Sequence, residues 1–319
     1  MKFATLGKDE YLWSQSYRPK KIDDVVIPDN IKKQFKAFIN EKQIPNLLLT
    51  SSSPGTGKTT TALALCDEIG CKPLFINASL DNGVDTLRNK VLQYTTTSNI
   101  MGDAHKIVIL DEADRLSDAA QQGLKGIMEL VSKSARFILT ANNKMRVVEP
   151  LRSRCVDIEF AFGEKEKKQL MLGIFSRVKD ILDIEKIEYE PKALLGVVNR
   201  FFPDNRKVIS EIQRYSKSGK IDAGILGALA GIDIDQFVKA MKGKDFGSLK
   251  TFCFENADKM SSSIYNKMFK TLETEVTPQS QPQIVLILGD YQRYHSIVPD
   301  LTIHMLAMVT EIMMQAEFK

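Results

Sequence analysis

The chain has 319 residues, of which 43% are hydrophobic and 26% are charged. This composition excludes a disordered chain, and the length exceeds what one hydrophobic core usually supports, so two or three domains are expected. Lys and Arg number 44 against 40 Asp and Glu, a formal net charge of +4. Any affinity for nucleic acid must therefore come from local basic patches.

The N-terminal residues 1–9 lack the apolar stretch of a secretory signal. No later segment is a run of about 18 apolar residues of the kind that spans a bilayer. We therefore expect an intracellular protein with no membrane partner.

The first half of the chain alternates short apolar runs with amphipathic segments, a pattern typical of helices that cover both faces of a parallel sheet. Apolar residues from Ile31 to Ile39 recur at helical spacing and predict a helix capped by Asp29 or Asn30. Short runs rich in Leu, Ile, Val or Phe predict strands at 46–50, 73–77, 106–110, 136–140 and 156–160.

After Gly163 the pattern changes to helices only, and Ser, Lys and Gly cluster again near 216–223. We predict an α/β nucleotide-binding domain over 1–162, a small helical domain over 163–222 and a helical domain over 223–319. The last helix should run from Leu301 to Glu317.

A phosphate-binding loop is predicted at 52–59, where Ser-Ser-Pro-Gly-Thr-Gly-Lys-Thr lies between a predicted strand and a helix over 59–69. Glycines let backbone N–H groups turn toward a phosphate, and the helix N-terminus adds its positive dipole. Lys58 would reach the β- and γ-phosphates, and the Thr59 hydroxyl would ligate Mg²⁺. Ser52 stands where such loops usually have their first Gly. The predicted nucleotide contacts are Ser53, Pro54, Gly55, Thr56, Gly57, Lys58, Thr59 and Thr60.

Two carboxylates follow the apolar strand that begins at Lys106. Asp111 would hold Mg²⁺ through its water shell, and Glu112 would orient or deprotonate the attacking water. A strand that ends in Asp-Glu is also compatible with a solvated loop, but the phosphate-binding loop upstream favours a catalytic pair.

Two other nucleotide-dependent classes are disfavoured. The tetrapeptide Asp-Glu-Ala-Asp at 111–114 occurs in a large helicase group, but such helicases need a second parallel sheet that the helical second half does not offer. A GTPase would carry an Asp two residues after Lys144, where this chain has Arg146. ATP with Mg²⁺ is therefore the expected ligand.

Together, these motifs resemble the AAA+ clamp-loader ATPases, in their T4-type bacteriophage branch, over essentially the whole chain. The resemblance implies an AAA+ domain, a helical lid and a helical collar. It also implies an ATPase subunit of a DNA polymerase sliding-clamp loader, in which ATP binding opens the clamp and grips primer–template DNA and hydrolysis releases the clamp. The implied partners are the clamp, a non-identical small subunit, further copies of this chain in a spiral, and DNA. A phage-encoded protein would act in the host cytoplasm.

The resemblance assigns roles to residues outside the phosphate-binding loop. Tyr17 and Arg18 match the N-terminal box that lies near the adenine, although a Pro-containing lead-in fits the same residues. Asn142 matches sensor 1, beside the γ-phosphate and the attacking water. The residues alone favour a simple turn after a strand, where Asn is common.

Two arginines are implied to act on the phosphates. Arg154, in Ser-Arg-Cys, matches the arginine finger that enters the neighbouring subunit's site, although most Arg side chains simply lie on the surface. Arg206 matches sensor 2 at the start of a lid helix. Pro203 replaces the family's Gly there, and simple helix capping by Asp204 is the alternative.

In the family, the segment that here spans 79–88 faces duplex DNA. Cellular relatives usually carry a basic residue where this chain has Asn82. Arg88, Lys90 and Lys125 are the phosphate-contact candidates, and a solvated helix face fits each of them equally well.

Two competing functions stay open at this point. A Holliday-junction or replicative helicase motor also uses AAA+ parts and arginine fingers. A structural clamp-loader subunit with a decayed ATP site is the non-enzymatic alternative, which the presence of Lys58, Thr59, Asp111, Glu112 and Asn142 disfavours.

Overall fold

The computed structural model describes residues 11–80, 83–96, 106–217, 219–222, 224–225, 234–256, 260, 262 and 264–319. The chain forms two compact units, 1–226 and 227–319, and each is described by itself. Asn82 lies outside the described residues, as do 1–9 and residue 223, which borders the predicted third domain.

The first unit is built around a parallel sheet of five strands in the order β2-β3-β4-β1-β5. The strands are β1 (Leu47–Thr50), β2 (Leu74–Asn77), β3 (Lys106–Asp111), β4 (Ala135–Ala141) and β5 (Val156–Glu159). Since all five strands are parallel, their carboxyl ends lie at one edge of the sheet, and β1, β3 and β4 are neighbours there. Ligands of open α/β sheets bind at this edge.

Successive strand residues point to opposite faces of the sheet, and both faces are apolar because helices cover both. Leu47 and Leu49 belong to one core cluster, whereas Leu48 belongs to the other. The first cluster is closed by α2 (Asp29–Glu41) and α3 (Lys58–Ile69), and the second by α4 (Val84–Thr96), α5 (Asp118–Leu130) and α6 (Glu149–Arg152). A short helix α1 (Trp13–Ser16) precedes them.

The rest of the first unit is mostly helical and consists of α7 (Glu164–Glu185), α8 (Pro191–Phe201) and α9 (Asn205–Ser216). It differs from the helices-only prediction, because β6 (Glu188–Tyr189) and β7 (Lys220–Ile221) form a two-residue parallel pair. Strands this short leave too little apolar alternation to be detected in the sequence. The predicted boundaries at 162/163 and 222/223 stay predictions.

The second unit is an assembly of helices around its own core. The described helices are α10 (Ile234–Lys242), α11 (Phe246–Asn256), α12 (Ile264–Glu275), α13 (Gln281–Tyr294) and α14 (Leu301–Gln315). Its largest fully buried side chain, Phe237, stacks on Phe252 with ring centroids 4.5 Å apart. An antiparallel bridge between Val276 and Phe318 ties the chain end to the end of α12.

The predicted strands agree with the observed ones within one residue at each end. The helix after the phosphate-binding loop ends at Gly70, which is left-handed with φ 76°. The capping prediction for α2 was wrong: the N-cap is Pro28, and Asp29 is the first helical residue, where its charge favours the helix dipole. None of the described helices is long and apolar enough to cross a bilayer.

Lys106 holds the end of α4 against β3. Its side chain is buried, and Nζ donates to the backbone oxygens of Tyr94 at 2.7 Å and Thr95 at 3.0 Å. A cation at a helix C-terminus satisfies carbonyl groups that have no partner within the helix.

We expect Lys106→Met to lower the free energy of unfolding by about 1–3 kcal/mol, because the two carbonyl groups lose their donor in a buried place. Urea denaturation followed by CD measures the change. Lys33→Met, at an exposed position on α2, is the control and should stay within about 0.5 kcal/mol of the wild type. An equal effect of both substitutions would contradict this role for Lys106.

Candidate nucleotide site

The phosphate-binding loop lies directly after β1, between the ends of β3 and β4 and the start of α3. Gly55 and Gly57 have φ of 69° and 99°, values in the left-handed region that side chains disfavour. Lys58 is the first residue of α3, and its Nζ donates to Asn142 Oδ1 at 2.8 Å and to the Ser53 backbone oxygen at 3.4 Å. The structure thus brings Lys58 and the predicted sensor Asn142 together.

Asp111 joins three elements of the site. Its Oδ1 accepts hydrogen bonds from the hydroxyl groups of Thr59, at 2.6 Å, and Thr140, at 2.8 Å. Thr140 Oγ1 in turn accepts a bond from the backbone N–H of Glu112 at 3.0 Å. The two residues predicted to hold Mg²⁺, Thr59 and Asp111, are therefore adjacent.

Glu112 adopts a left-handed backbone conformation with φ 58° and is partly exposed. Its carboxylate accepts a hydrogen bond from the hydroxyl group of Ser79, which follows β2. A non-glycine residue in this conformation is uncommon and often marks a functional position. Ser79 therefore holds the carboxylate of the predicted base at the edge of the site.

Burial and four neighbouring charged side chains affect the pKa of Lys58. Burial lowers its pKa below the usual value, and the positive charge of Arg206 adds to this effect. The carboxylates of Asp114, Asp111 and Glu112 oppose it. The neighbouring carboxylates therefore favour the charged ammonium form of Lys58, which is the form that binds phosphate.

Asp114 supports the site, although the sequence did not predict it as a site residue. It is buried, and its Oδ2 accepts the backbone N–H groups of Asn142 at 3.2 Å and Asn143 at 3.0 Å. These bonds fix the loop that carries Asn142. The two residues that Asp114 binds lie 28 and 29 positions further along the chain, so no local sequence pattern could predict this role.

The helical region after 163 contacts the phosphate-binding loop through the start of α9. The backbone N–H of Asn205 donates to the Gly55 oxygen at 3.1 Å, and a Cβ atom added to Gly55 would lie 1.8 Å from Asp204 Oδ1. Asp204 also caps α9 by accepting the Lys207 N–H at 2.9 Å. Capping by Asp204 is therefore observed, and the exposed Arg206 lies close enough to Lys58 to affect its pKa. The sensor 2 role of Arg206 stays a prediction.

A cleft of about 220 Å³ lies between the N-terminal segment and α7. Val25, Val26 and Gly173 are among its lining residues, and Gly173 approaches Val26 so closely that an added Cβ would lie 3.0 Å from it. Gly57 lies beside Val25, which connects the cleft to the phosphate-binding loop.

Tyr17 and Arg18 lie beside this cleft and are not among its lining residues. Tyr17 is buried and donates a hydrogen bond to Glu185 at the end of α7, and burial raises its pKa. Arg177 donates to the backbone oxygens of Tyr17 and Asp24, and burial lowers its pKa to about 10. Their assignment as nucleotide contacts stays a prediction, and in this structure Tyr17 supports the wall of the cleft.

Arg154 lies at the opposite edge of the sheet from the phosphate-binding loop. It precedes β5, which runs parallel to β1 in the register Leu47↔Val156, whereas the loop follows β1. The four residues of β1 separate the two places by roughly 13 Å. The structure therefore does not bring Arg154 to the nucleotide site of its own chain.

The three basic candidates for DNA contact lie on two neighbouring helices. Arg88 and Lys90 are exposed on α4, and Lys125 is half-buried on α5. The helices pack closely at Gly123, where an added Cβ would lie 2.4 Å from Val84. All three assignments stay predictions.

Known proteins resemble the chain over its full length. Family models match the AAA ATPase family at residues 48–164, the sliding-clamp-loader large subunit AAA+ lid domain at 166–227 and its C-terminal domain at 262–317. The sliding-clamp-loader large subunit of Enterobacteria phage T4 is 32% identical, with 99% of each chain covered. The chain belongs to the sliding-clamp-loader large-subunit family.

Two further comparisons cover about 70% of the chain. The replication factor C small subunit of Saccharolobus solfataricus is 38% identical over 73% of this chain and 70% of its own. The Thermotoga maritima RuvB Holliday-junction branch-migration motor shares the fold, with a TM-score of 0.53 at 18% identity over 70% of this chain and 78% of that one. The family confirms the predicted AAA+ fold with lid and helical C-terminal region, and the prediction of an ATP-hydrolysing clamp-loader subunit.

The site fits the ligands that this family implies. An AAA+ ATPase binds a nucleotide, and the loop with Gly55, Gly57 and Lys58 offers its backbone N–H groups and cation. For Mg²⁺, the Thr59 hydroxyl and the Asp111 carboxylate supply two hard oxygen atoms only 2.6 Å apart. These residues would hold the ion next to the β- and γ-phosphates.

Lys58→Ala should weaken ATP binding by at least about 10-fold, since a charge-assisted bond to the phosphates contributes about 1.5–3 kcal/mol. Titration with a fluorescent ATP analogue measures the dissociation constant. Lys72→Ala, at an exposed position outside the site, is the matched control and should bind as the wild type does. Unchanged binding by Lys58→Ala would contradict the site assignment.

Proposed function

We propose that this chain is the motor subunit of a multi-subunit clamp loader, in which ATP binding opens a sliding clamp and grips primer–template DNA, and hydrolysis releases both. The observation that carries the proposal is the division of the catalytic residues between two edges of one sheet. Lys58, Asp111, Glu112 and Asn142 meet at the carboxyl edge, whereas Arg154 lies at the amino edge. A second copy is the natural source of the missing arginine.

The surface around Arg154 supports a neighbouring subunit there. Leu130 and Val156, which flank the Glu129–Arg154 pair in sequence, have 62% and 45% of their surface exposed. Exposed apolar side chains beside a charged anchor are typical of protein interfaces. The assembly would consist of several copies in a spiral with a non-identical small subunit, and each interface would hold one ATP.

The hydrolysis step follows from the roles of these side chains. Glu112 accepts a proton from water as the water oxygen attacks the γ-phosphorus, and the bond to the bridging oxygen breaks with its electron pair leaving on ADP. Lys58 and Asn142 bind the γ-phosphate oxygens, and Arg154 of the neighbour neutralises the developing charge. Thr59 and Asp111 would hold Mg²⁺, which would supply charge neutralisation for the phosphates.

The lid would report the state of the phosphates. Arg206 lies in the first turn of α9, and the backbone N–H of Asn205 in that turn donates to the Gly55 oxygen. Phosphate release at the loop would therefore alter the contacts of this helix. The closing of a lid around a ligand is a common way to couple a site to rigid-body motion. We propose that this motion converts hydrolysis into release of clamp and DNA.

Arg154→Ala should lower clamp- and DNA-stimulated hydrolysis by on the order of 10³-fold, because an arginine finger contributes that much to phosphoryl transfer. Steady-state phosphate release by the complex with its small subunit, clamp and primer–template DNA measures it. ATP binding should be retained, since Arg154 is remote from its own site. Arg200→Ala, at an exposed lid position, is the control. High hydrolysis by the isolated chain, unaffected by Arg154→Ala, would refute the trans arrangement.

The DNA contacts have a separate test. If Arg88, Lys90 and Lys125 bind phosphates, each substitution by Ala should reduce the slope of log affinity against log salt by about 0.9 per contact and per copy engaged. Fluorescence anisotropy of primer–template DNA across a salt series measures the slope. Ala substitutions at Lys33 and Lys72, which lie on other elements, are the controls. An unchanged slope would mean that the three residues do not contact DNA phosphates.

A further inference from the structure

The guanidinium group of Arg154 is held by contacts within its own chain. Nε and Nη2 both donate to Glu129 Oε1, at 3.1 Å and 2.5 Å, and Nη1 donates to the Pro150 backbone oxygen at 2.7 Å. The Arg154 oxygen accepts a bond from the side chain of Asn46 at 3.5 Å. Both the backbone and the tip of this side chain are therefore anchored before any neighbour arrives.

The Glu129–Arg154 pair contributes little to stability. The side chains are 55% and 33% exposed, and exposed ion pairs of this kind add little to the free energy of unfolding. Glu129 also lies in the last turn of α5, where the helix dipole disfavours a carboxylate. The carboxylate of Glu129 therefore stabilises neither the fold nor α5 appreciably. Its main contact is with the guanidinium group of Arg154.

The contacts leave the arginine able to bind a second anion. A guanidinium group has five N–H donors, and the three bonds to Glu129 and Pro150 leave one donor on each terminal nitrogen. A pair of terminal donors matches two oxygens of a phosphate. Ordering a flexible side chain in advance removes the entropy cost of ordering it on binding.

We propose that Glu129 is a positioning residue for ATP hydrolysis at the neighbouring site. It holds the Nε–Nη2 side of Arg154 and presents the free terminal donors outward, toward the γ-phosphate bound by the next copy. This rests on the proposed function of Arg154 in trans. A carboxylate that instead sequestered Arg154 until assembly would have the opposite effect on the rate, so the sign of the change decides between the two.

The test uses the complete complex with small subunit, clamp and primer–template DNA. Glu129→Ala should lower kcat for ATP by about 10–100-fold, because loss of alignment of a catalytic group costs about that much, and should leave KM within about 2-fold. Glu129→Gln, which keeps one acceptor oxygen, should lose less, and Glu129→Asp should recover part of the rate. Glu149→Gln is the matched control, since Glu149 pairs with Arg152 on the same surface and should have no effect on kcat.

The double variant Glu129→Ala with Arg154→Ala separates positioning from a structural role. Its kcat should equal that of Arg154→Ala alone, because Glu129 acts only through Arg154. A further loss in the double variant, or an unchanged or raised kcat in Glu129→Ala, would overturn the inference. If Arg154→Ala itself leaves kcat unchanged, the trans arrangement fails instead, which is a distinct result. Thermal unfolding of each variant near the wild-type temperature confirms that it is folded.

Discussion

The hydrogen bonds that converge on Asp111 hold the nucleotide site together. One carboxylate oxygen accepts hydroxyl groups from Thr59, at the start of the helix after β1, and from Thr140, at the end of β4. Because β3 lies next to β4, and β4 next to β1, these bonds fix the phosphate-binding loop against the strand that carries Asp111 and Glu112. Glu112 depends on the same arrangement, since its backbone N–H is bound by Thr140.

The order of strands explains how a few side chains from distant parts of the sequence can form one site. The carboxyl ends of β1, β3 and β4 are neighbours only because every crossover returns the chain to the same edge of a parallel sheet. The buried Asp114 then adds the last constraint by binding two backbone N–H groups of the loop that carries Asn142. A misplaced Asn142 would lose its contact with Lys58, so Asp114 supports the site without approaching the nucleotide.

Much of this could be predicted from sequence because the signals are local. Each strand is an apolar run, and the loop around Lys58 is a contiguous motif whose context could be checked on both sides. The short pair β6–β7 and the supporting roles of Thr140, Asp114 and Glu129 depend on residues distant in the chain. An acidic residue at a helix end is indistinguishable from a solvated one until the fold places an arginine beside it.

The geometry also explains why hydrolysis should depend on assembly. Arg154 is fixed at the amino edge of β5 by the same parallel pairing that fixes the phosphate-binding loop at the carboxyl edge of β1. The guanidinium group of Arg154 cannot reach the phosphate-binding loop by rotation of its side chain, because the length of β1 separates the two places. In the proposed arrangement, one edge of the subunit binds ATP and the other edge serves a neighbour. Every interface of an open spiral of copies would then be heterologous, so that the first and last subunits would differ chemically. A terminal subunit would lack either a donor or a recipient of Arg154, and the proposed non-identical subunit would have a defined place there.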